Sequence, residues 1–299
     1  MAWRGVHLTR PGRLSYADQQ VVVAQSGDEV RIPLEDVAWI VLDTPQATLT
    51  SALLSACMTA GIAVVICDAA HTPGGVALPF HRHHRQAAVA ALQAGMSAPL
   101  KKRLWQATVQ AKIRNQAAAL RRCGGDGGPL DAMAARVGSG DPDNTEARAA
   151  RAYWRAFFPA FTREDGCDLR NNMLNYGYAI VRSSVARGLV AAGLLPAFGI
   201  GHASKTNPFN LADDIVEPFR PFVDVVVWHM SDRGRTKEGM LTVEHRRTLA
   251  ALPNADTWIG NEAMTILVAS ERAGASFVRA LEFASPALLE LPRLHGASG

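Results

Sequence analysis

A glutamate near the middle of the chain falls on a helix face that is otherwise apolar. The preceding residues 143–145, with the sequence Asp-Asn-Thr, can begin a helix because their side-chain oxygens accept hydrogen bonds from its first backbone N–H groups. Helical spacing then puts Glu146 on the same face as Ala150, Tyr153 and Phe157. Taken alone, a glutamate in a first turn also complements the helix dipole, so a functional interpretation requires a second site.

That second site is predicted in the segment 199–221. His202 lies in a glycine-rich turn ahead of a predicted helix, on which Asp214 and Glu217 share a face at i, i+3 while Asp213 and Glu217 pair at i, i+4. Carboxylates crowded into so short a stretch repel one another unless a cation is present. The spacing therefore indicates a cation at this helix.

One imidazole with two or three carboxylates is a ligand set that suits Mg²⁺ or Mn²⁺. Structural Zn²⁺ instead prefers thiolates and imidazoles in a closed site. A divalent metal so held can polarise a phosphoryl oxygen and activate a water or a 3′-hydroxyl for in-line attack. The flanking cations Lys205 and Arg220 could hold neighbouring phosphates, so the pattern predicts phosphodiester chemistry.

Basic residues cluster upstream of both sites. The formal net charge is +4, and arginines and lysines recur through residues 81–85, 101–103 and 112–122. Spread along helices, these charges could line a groove for phosphates, with Arg85 as one candidate contact. A solvated helix face explains any single cluster equally well.

The elements that must position these residues fall into two groups. The first 80 or so residues are short β-rich runs with Gly, Asp and Pro between them, including residues 21–24, 30–33, 37–42 and 62–67. Residues 50–60 have helical spacing and end at Gly61. We expect an N-terminal, β-sandwich-like domain over residues 1–82.

From about Arg85 the pattern becomes helical. Residues 86–92, 100–120 and 177–193 are predicted helices, and only a short apolar stretch after Pro221 has the composition of a strand. The chain is therefore predicted to be an α+β protein whose larger, all-helical catalytic domain spans residues 83–299.

Several classes of protein are disfavoured. The four cysteines form no CxxC pair, so we expect reduced thiols and a cytoplasmic location. The first residues lack the basic and apolar regions of a secretory signal. The apolar stretches are far shorter than the ~20 residues that a membrane span needs.

Three runs in the helical half resemble the universal CRISPR adaptation integrase family: Asn172–Arg182, Gly193–His202 and Asn210–Pro221. They follow Glu146 in the family's order and cover most of that half. The β half agrees more weakly, through Ile32–Val37 and Gly61–Asp68.

The resemblance implies a homodimer with an N-terminal β domain and a C-terminal helical domain. In that domain Mn²⁺ or Mg²⁺ is bound by three catalytic residues, matched here by Glu146, His202 and Glu217. The third ligand is an aspartate in many members, so Glu217 is a departure, similar to the branch that accompanies single-protein RNA-guided effector nucleases. It leaves open whether Asp214 also binds the metal.

The resemblance also implies partners and a reaction. Family members work with a small ferredoxin-like partner that bridges two dimers, and they insert short double-stranded DNA segments into a repeat array. A 3′-hydroxyl attacks a phosphodiester at the repeat boundary, and no nucleotide cofactor is required. The RNA-guided effector nuclease is a further candidate partner. We expect arginine and lysine to contact DNA backbone, with little reading of base edges.

Two alternatives stay open from the sequence. One is a metal-dependent nuclease that cleaves branched or single-stranded DNA without integration. The other is a non-catalytic DNA-binding scaffold whose acids only cap helices.

Overall fold

The computed structural model describes residues 3–80, 83–158, 160–236 and 238–295. In the N-terminal part, hairpin turns at positive φ join β2 to β3 and β3 to β4, as at Asp18 (φ 50°) and Gly27 (φ 93°). Eight strands form here: β1 (Arg4–Leu8), β2 (Gly12–Ala17), β3 (Gln20–Gln25), β4 (Asp28–Pro33), β5 (Val37–Leu42), β6 (Ala47–Leu49), β7 (Ala63–Cys67) and β8 (Pro73–Ala77).

These strands make two four-stranded sheets that face each other. Their orders are β4-β3-β2-β6 and β1-β5-β7-β8. Leu14 from the first sheet and Ile40 and Val64 from the second pack in one apolar core between them. The predicted sandwich-like arrangement is therefore confirmed.

The strand β5 is buried along its whole length because it is covered on both faces. It pairs in parallel with β1 and β7, and helix α1 (Ser51–Ala60) makes the crossover between β5 and β7. Thr50 caps α1 by accepting a hydrogen bond from Leu53, and Gly61 ends it with a φ of 72°.

The second face of this sheet belongs to the core of the helical half. Trp39, Val41 and Val65 pack there, and Trp39 Nε1 donates a hydrogen bond to the carbonyl oxygen of Ala250 at 3.1 Å. The chain is thus layered as sheet, sheet and helices. The predicted boundary falls at His81 and Arg82, which lie outside the described residues, and it stays a prediction.

The helical half is organised around one long central helix, α6 (Leu169–Ala191), which packs against α10 (Ile266–Glu282). A Cβ at Gly188 of α6 would lie 2.5 Å from the Ser270 carbonyl oxygen of α10, so glycine permits the close approach of these two helices. The other helices of this half are α2 (Gln86–Ala94), α3 (Ala98–Arg122), α4 (Gly128–Ala135), α5 (Thr145–Phe157), α7 (Asn210–Val216), α8 (Arg220–Met230) and α9 (Val243–Ala250).

The α+β assignment is confirmed, with two local differences from the sequence prediction. The apolar stretch after Pro221 lies in α8 and not in a strand, because packing against α3 and α6 outweighs the β propensity of its valines. The helical half also contains a hairpin that was not predicted, β9 (Asp256–Ile259) and β10 (Glu262–Thr265), which turns at Gly260.

None of the helices within the described ranges is both long enough and apolar enough to cross a membrane.

Candidate active site

Glu146 is placed by the first turn of α5. The cap of this helix is Asp141, whose two carboxylate oxygens accept hydrogen bonds from the backbone N–H groups of Thr145 and Glu146 at 2.8 and 2.9 Å. The prediction that residues 143–145 supply the cap is wrong, because Asn144 adopts a left-handed conformation (φ 48°) without a side-chain cap bond. The inward direction predicted for this helix face is confirmed, since Tyr153 and Phe157 are buried.

Lys112 of α3 joins two of the predicted site residues. Its Nζ lies 2.6 Å from Glu146 Oε1 and 2.5 Å from Glu217 Oε2. Arg220 Nε lies 2.8 Å from the other Glu217 oxygen. Two glutamates that are 71 residues apart in the chain therefore share one ammonium group.

These charges determine the ionisation of the cluster. Burial alone would raise the pKa of Glu217, but Arg220 and Lys112 outweigh it and lower this pKa to about 2. Burial alone would lower the pKa of Lys112, but Glu217 and Glu146 raise it. Glu217 is therefore a carboxylate, and Lys112 an ammonium, at neutral pH.

The buried Oε2 of Glu217 is held by its ion pair with the Lys112 ammonium, which approaches it outside favourable hydrogen-bond geometry. A buried carboxylate oxygen without a directed partner, facing a second glutamate, is a donor set that fits a hard divalent cation.

His202 is held in a defined orientation by Asp214. The buried Asp214 carboxylate accepts backbone N–H bonds from Ile200, Gly201 and His202 at 2.5, 3.1 and 2.8 Å. Its Oδ1 also lies 2.8 Å from His202 Nδ1. That hydrogen bond, against the opposing effect of burial, raises the pKa of His202. Since Nδ1 is engaged, Nε2 is the ring nitrogen left for a ligand.

Two glycines of this turn are required by close approaches. A Cβ at Gly199 would lie 2.2 Å from the His202 carbonyl oxygen, and one at Gly201 would lie 2.5 Å from the Trp105 ring. The Trp105 ring in turn meets the His202 ring edge-on at a centroid distance of 5.9 Å. The glycine-rich turn is therefore fitted against α3 on one side and α7 on the other.

The three predicted ligands lie in one region but do not form a closed metal site. Glu217 and His202 are near enough for each to shift the pKa of the other. Across the described ranges, however, no three His, Cys, Asp or Glu side chains are grouped as metal ligands, and Lys112 occupies the space between the two glutamates. Binding of a metal by Glu146, His202 and Glu217 stays a prediction.

The expected repulsion among the acids is relieved by the protein itself. Asp213 pairs with Arg182 at 2.5 Å, Asp214 receives backbone N–H groups, and Glu217 has Lys112 and Arg220. The cations that these acids require are therefore supplied at least in part by the protein, and binding of a metal ion beside them stays a prediction.

The predicted phosphate contacts are dispersed. Arg220 lies against Glu217, Lys205 is exposed in the loop before α7, and Arg85 pairs with Glu282 of α10 at 2.7 Å in a separate groove. Only Arg220 lies at the glutamates, and all three DNA contacts stay predictions.

A further buried acid, Asp224, was not predicted from the sequence. Asp224 of α8 accepts hydrogen bonds from the hydroxyl groups of Tyr153, at 2.8 Å, and Tyr178. Burial raises the pKa of Asp224 to about 7, although both tyrosines oppose this. The sequence feature that could have indicated Asp224 is its position as the single acid within the apolar run 222–228.

Lys112 was also missed, although it belongs to the basic run 112–122. The available signal was its phase on α3, where Lys112 and Gln116 are at i, i+4 and both turn towards the protein interior. From its charge alone, Lys112 was grouped with the basic residues predicted to lie on the surface.

Comparison with known proteins gives close relatives. A model of the family described as CRISPR associated protein Cas1 matches residues 6–252. The CRISPR-associated endonuclease Cas1 of Neisseria meningitidis serogroup C (strain 8013) is 38% identical over 297 residues, which cover 98% of this chain and 97% of that protein.

Solved structures share the fold at lower identity. A casposase bound to integration product superposes with a TM-score of 0.76 at 16% identity, over 95% of this chain and 92% of that chain. A Cas6-RT-Cas1–Cas2 complex contains a chain that matches with a TM-score of 0.74 at 18% identity, over 99% of this chain and 36% of that chain. At these identities the likeness shows the fold.

Proposed function

The chain belongs to the Cas1 family of CRISPR-associated proteins, and on that premise we propose that it is a DNA endonuclease and integrase that uses Mg²⁺ or Mn²⁺. The observation that carries the proposal is the meeting of Glu146 and Glu217 on the Lys112 ammonium, with His202 nearby, whose Nε2 makes no hydrogen bond with the residues that the structure describes. The name of the relative in Neisseria meningitidis, an endonuclease, supports the class of reaction.

Glu146, His202 and Glu217 are the residues that would hold the metal. When bound, the ion supplies Lewis-acid polarisation of a phosphoryl oxygen. Asp214 acts differently, because both of its oxygens already accept hydrogen bonds. We propose that Asp214 orients His202 and is not itself a fourth ligand of the metal.

The reaction is a transesterification. The 3′-hydroxyl oxygen of the incoming DNA attacks a phosphorus atom at the repeat boundary, one P–O bond forms, and the P–O bond to the displaced 3′-oxygen breaks. The hydroxyl proton is lost and the leaving oxygen gains one, so the number of phosphodiester bonds is conserved. For that reason the reaction needs no nucleotide cofactor.

The basic side chains serve to bind the DNA backbone. Arg220, Lys205 and Arg85 are the proposed phosphate contacts, as inferred from the sequence. A double-stranded insert and the repeat DNA are the proposed substrates. The casposase that shares this fold is bound to an integration product, which supports integration as the outcome of the reaction.

Partners follow from the family. We propose a homodimer in the cytoplasm that works with a small ferredoxin-like adaptation partner, and the similar chain found within a Cas6-RT-Cas1–Cas2 complex supports such an assembly. Association with an RNA-guided effector nuclease is part of the same proposal.

Strand joining to a repeat-containing plasmid tests the proposal. In Mn²⁺ or Mg²⁺, the Glu146→Ala and His202→Ala proteins should bind DNA as the unmodified protein does but form no new junctions. Joining that persists in either variant would contradict the assignment.

The same assay separates the alternatives. A nuclease acting on branched or single-stranded DNA would give free ends without new junctions. A non-catalytic scaffold would show no metal-dependent thermal shift, and its function would survive Glu217→Ala.

A further inference from the structure

One buried amide of α3 connects the turn that carries Glu217 to the C-terminal segment of the chain. Asn115 is 3% exposed, and its side-chain Nδ2 donates to the carbonyl oxygens of Pro218, at 2.7 Å, and Pro292, at 2.9 Å. Its Oδ1 accepts a hydrogen bond from the backbone N–H of Leu294 at 3.0 Å. Each of these three partners is a backbone group that lies at least 103 residues away along the chain.

The Pro218 carbonyl oxygen depends on a donor from outside its own turn. Pro218 is buried in the turn Glu217–Phe219, against which α3 packs, and α8 begins only at Arg220. The residue three positions after Pro218 is Pro221, which has no backbone N–H to donate. A buried carbonyl oxygen that lacks a partner costs stability, so the Asn115 amide stabilises this turn in its observed position.

The other two bonds of Asn115 hold residues 291–295, which we call the C-terminal strap. The strap also pairs with β9, because Trp258 and Arg293 exchange backbone hydrogen bonds at 3.2 and 2.7 Å. With the strap in place, both the oxygen and the nitrogen of the Asn115 amide are bound, and its orientation is fixed. Without the strap, the amide oxygen loses the Leu294 donor, and the amide gains freedom to rotate about its broad terminal torsion.

Asn115 and Lys112 hold neighbouring parts of the same turn. They are three residues apart on α3, and Lys112 contacts the Glu217 carboxylate while Asn115 holds the carbonyl group of the next residue. Glu146 lies on a different helix, α5. A shift of the turn therefore changes the position of the Glu217 carboxylate relative to Glu146.

We propose that Asn115 is a positioning residue for Glu217, and that the C-terminal strap fixes the orientation in which Asn115 does so. Asn115 acts through the backbone of the turn and not on DNA or metal. The inference rests on the proposed function in one respect, which is that Glu217 is a metal ligand. The end of the chain thereby contributes to the geometry of the acids.

The first experiment measures backbone hydrogen exchange without metal or DNA. Asn115→Leu keeps the branched shape of the side chain but removes its three hydrogen bonds. Exchange in the segment 215–224 should become several-fold faster, since loss of one hydrogen bond shifts a local opening equilibrium by roughly 2- to 10-fold. A chain that ends after Glu290 lacks the strap but keeps the ion pairs of Glu290 with Arg272 and Arg279. It should show faster exchange in the same segment.

Two matched controls accompany these variants. Gln106→Leu removes another amide hydrogen bond of α3, to the Val137 carbonyl oxygen at 2.7 Å, and should leave exchange in the segment 215–224 unchanged. A chain that ends after His295 keeps the strap and should exchange as the unmodified protein does. Thermal unfolding establishes which variants fold. If Asn115→Leu does not fold, the chain ending after Glu290 decides the question, because its Asn115 is unaltered.

The second experiment uses Mn²⁺ alone as the probe. Titration of DNA-free protein, followed by the electron paramagnetic resonance signal of the free ion, measures its affinity. Residues that support metal ligands usually contribute 10–100-fold to metal affinity, so Asn115→Leu should weaken Mn²⁺ binding by about 10-fold and metal-free DNA binding by less than about 2-fold. Gln106→Leu should bind Mn²⁺ as the unmodified protein does. A merely structural defect would weaken both kinds of binding together.

Three results would overturn the proposal: unchanged exchange in the segment 215–224 of Asn115→Leu, unchanged exchange there in the chain without the strap, or faster exchange with unaltered Mn²⁺ affinity. An unmodified protein that binds no Mn²⁺ and joins no DNA would instead contradict the proposed integrase function. The exchange measurements would then still decide whether Asn115 and the strap hold the Glu217 turn.

Discussion

Glu217 and Asp224 are seven residues apart in the chain and both are almost fully buried, yet their pKa values are shifted in opposite directions. Glu217 pairs with Arg220 and Lys112, and against the effect of burial its pKa falls to about 2. Asp224 accepts hydrogen bonds from two tyrosine hydroxyl groups, and burial raises its pKa to about 7 although these hydroxyl groups, Arg220 and Arg163 all oppose the rise.

This difference separates a site for a cation from a structural hydrogen-bond network. The partners of Glu217 are the side-chain cations of Lys112 and Arg220, and under the proposed function a metal ion takes the place of the Lys112 ammonium. The partners of Asp224 are donors from α5 and α6, so this acid ties three helices together. Burial of a carboxylate therefore does not by itself indicate catalysis, and the kind of partner distinguishes the two roles.

The largest expected effect is on strand joining. Glu217→Gln keeps the shape of the side chain but removes the charge, and loss of several kcal/mol of metal-dependent stabilisation corresponds to at least about a 10³-fold slower reaction. Asp224→Asn should slow joining by about 10-fold or less. Initial rates on one DNA substrate measure both, with Glu29→Gln, a change at an exposed residue of strand β4, as a control. Equal losses of joining rate in Glu217→Gln and Asp224→Asn would show that the two acids do not have different roles.

Lys112→Met should have the next largest effect, on stability. Removal of one partner from a buried ion pair leaves uncompensated charge, which costs about 3 kcal/mol. Because the two glutamates then lack their shared ammonium, Mn²⁺ should raise the melting temperature of this variant more than that of the unmodified protein. Urea unfolding and thermal shifts with and without Mn²⁺ test this. An identical Mn²⁺ shift in both proteins would show that Lys112 and the metal do not compete.

The pH dependence of stability should distinguish Asp224. The folded state raises its pKa from 3.8 to about 7, so the folded protein binds this proton more tightly than the unfolded chain does. The resulting stability is present below pH 4 and is lost as pH rises to about 7. Relative to Asp224→Asn, the unmodified protein should lose on the order of 2 kcal/mol between pH 4 and pH 8. Urea unfolding at each pH measures this, and parallel profiles would exclude the raised pKa.

The smallest expected effect is that of Asp214→Asn. The amide oxygen can still accept from His202 Nδ1, but the amide nitrogen then faces the backbone N–H groups of Ile200 and Gly201, so the turn holds the ring less firmly. Loss of a residue that hydrogen-bonds to a metal ligand usually lowers metal affinity or activity by 10–100-fold. We expect strand joining by Asp214→Asn to be about 10-fold slower. A loss as large as that of Glu217→Gln would show that Asp214 binds the metal itself.

Local patterns predicted a large part of the fold. The continuous apolar run at β5, the helical spacing of residues 50–60 and the Gly61 end of α1 each depend on neighbours within a few residues. The strand-like run in α8 was misassigned because its valines fit either element, and only packing against distant helices decides between them.

The site was predicted in part for the same reason. Helical phase indicated that Glu146 points inward, and spacing grouped His202 with Glu217. Spacing could not show that Lys112, 105 residues before Glu217, enters between the acids. The cap at Asp141 was missed because a left-handed Asn144 reverses the chain there.

A crystal soaked in Mn²⁺ and measured by anomalous scattering is the most direct test of the central claim. The account predicts one strong peak bound by Glu146, Glu217 and the Nε2 of His202, with the Lys112 ammonium moved away from the glutamates. A Lys112 that stays between the two carboxylates, with no manganese beside it, would contradict the proposed metal site.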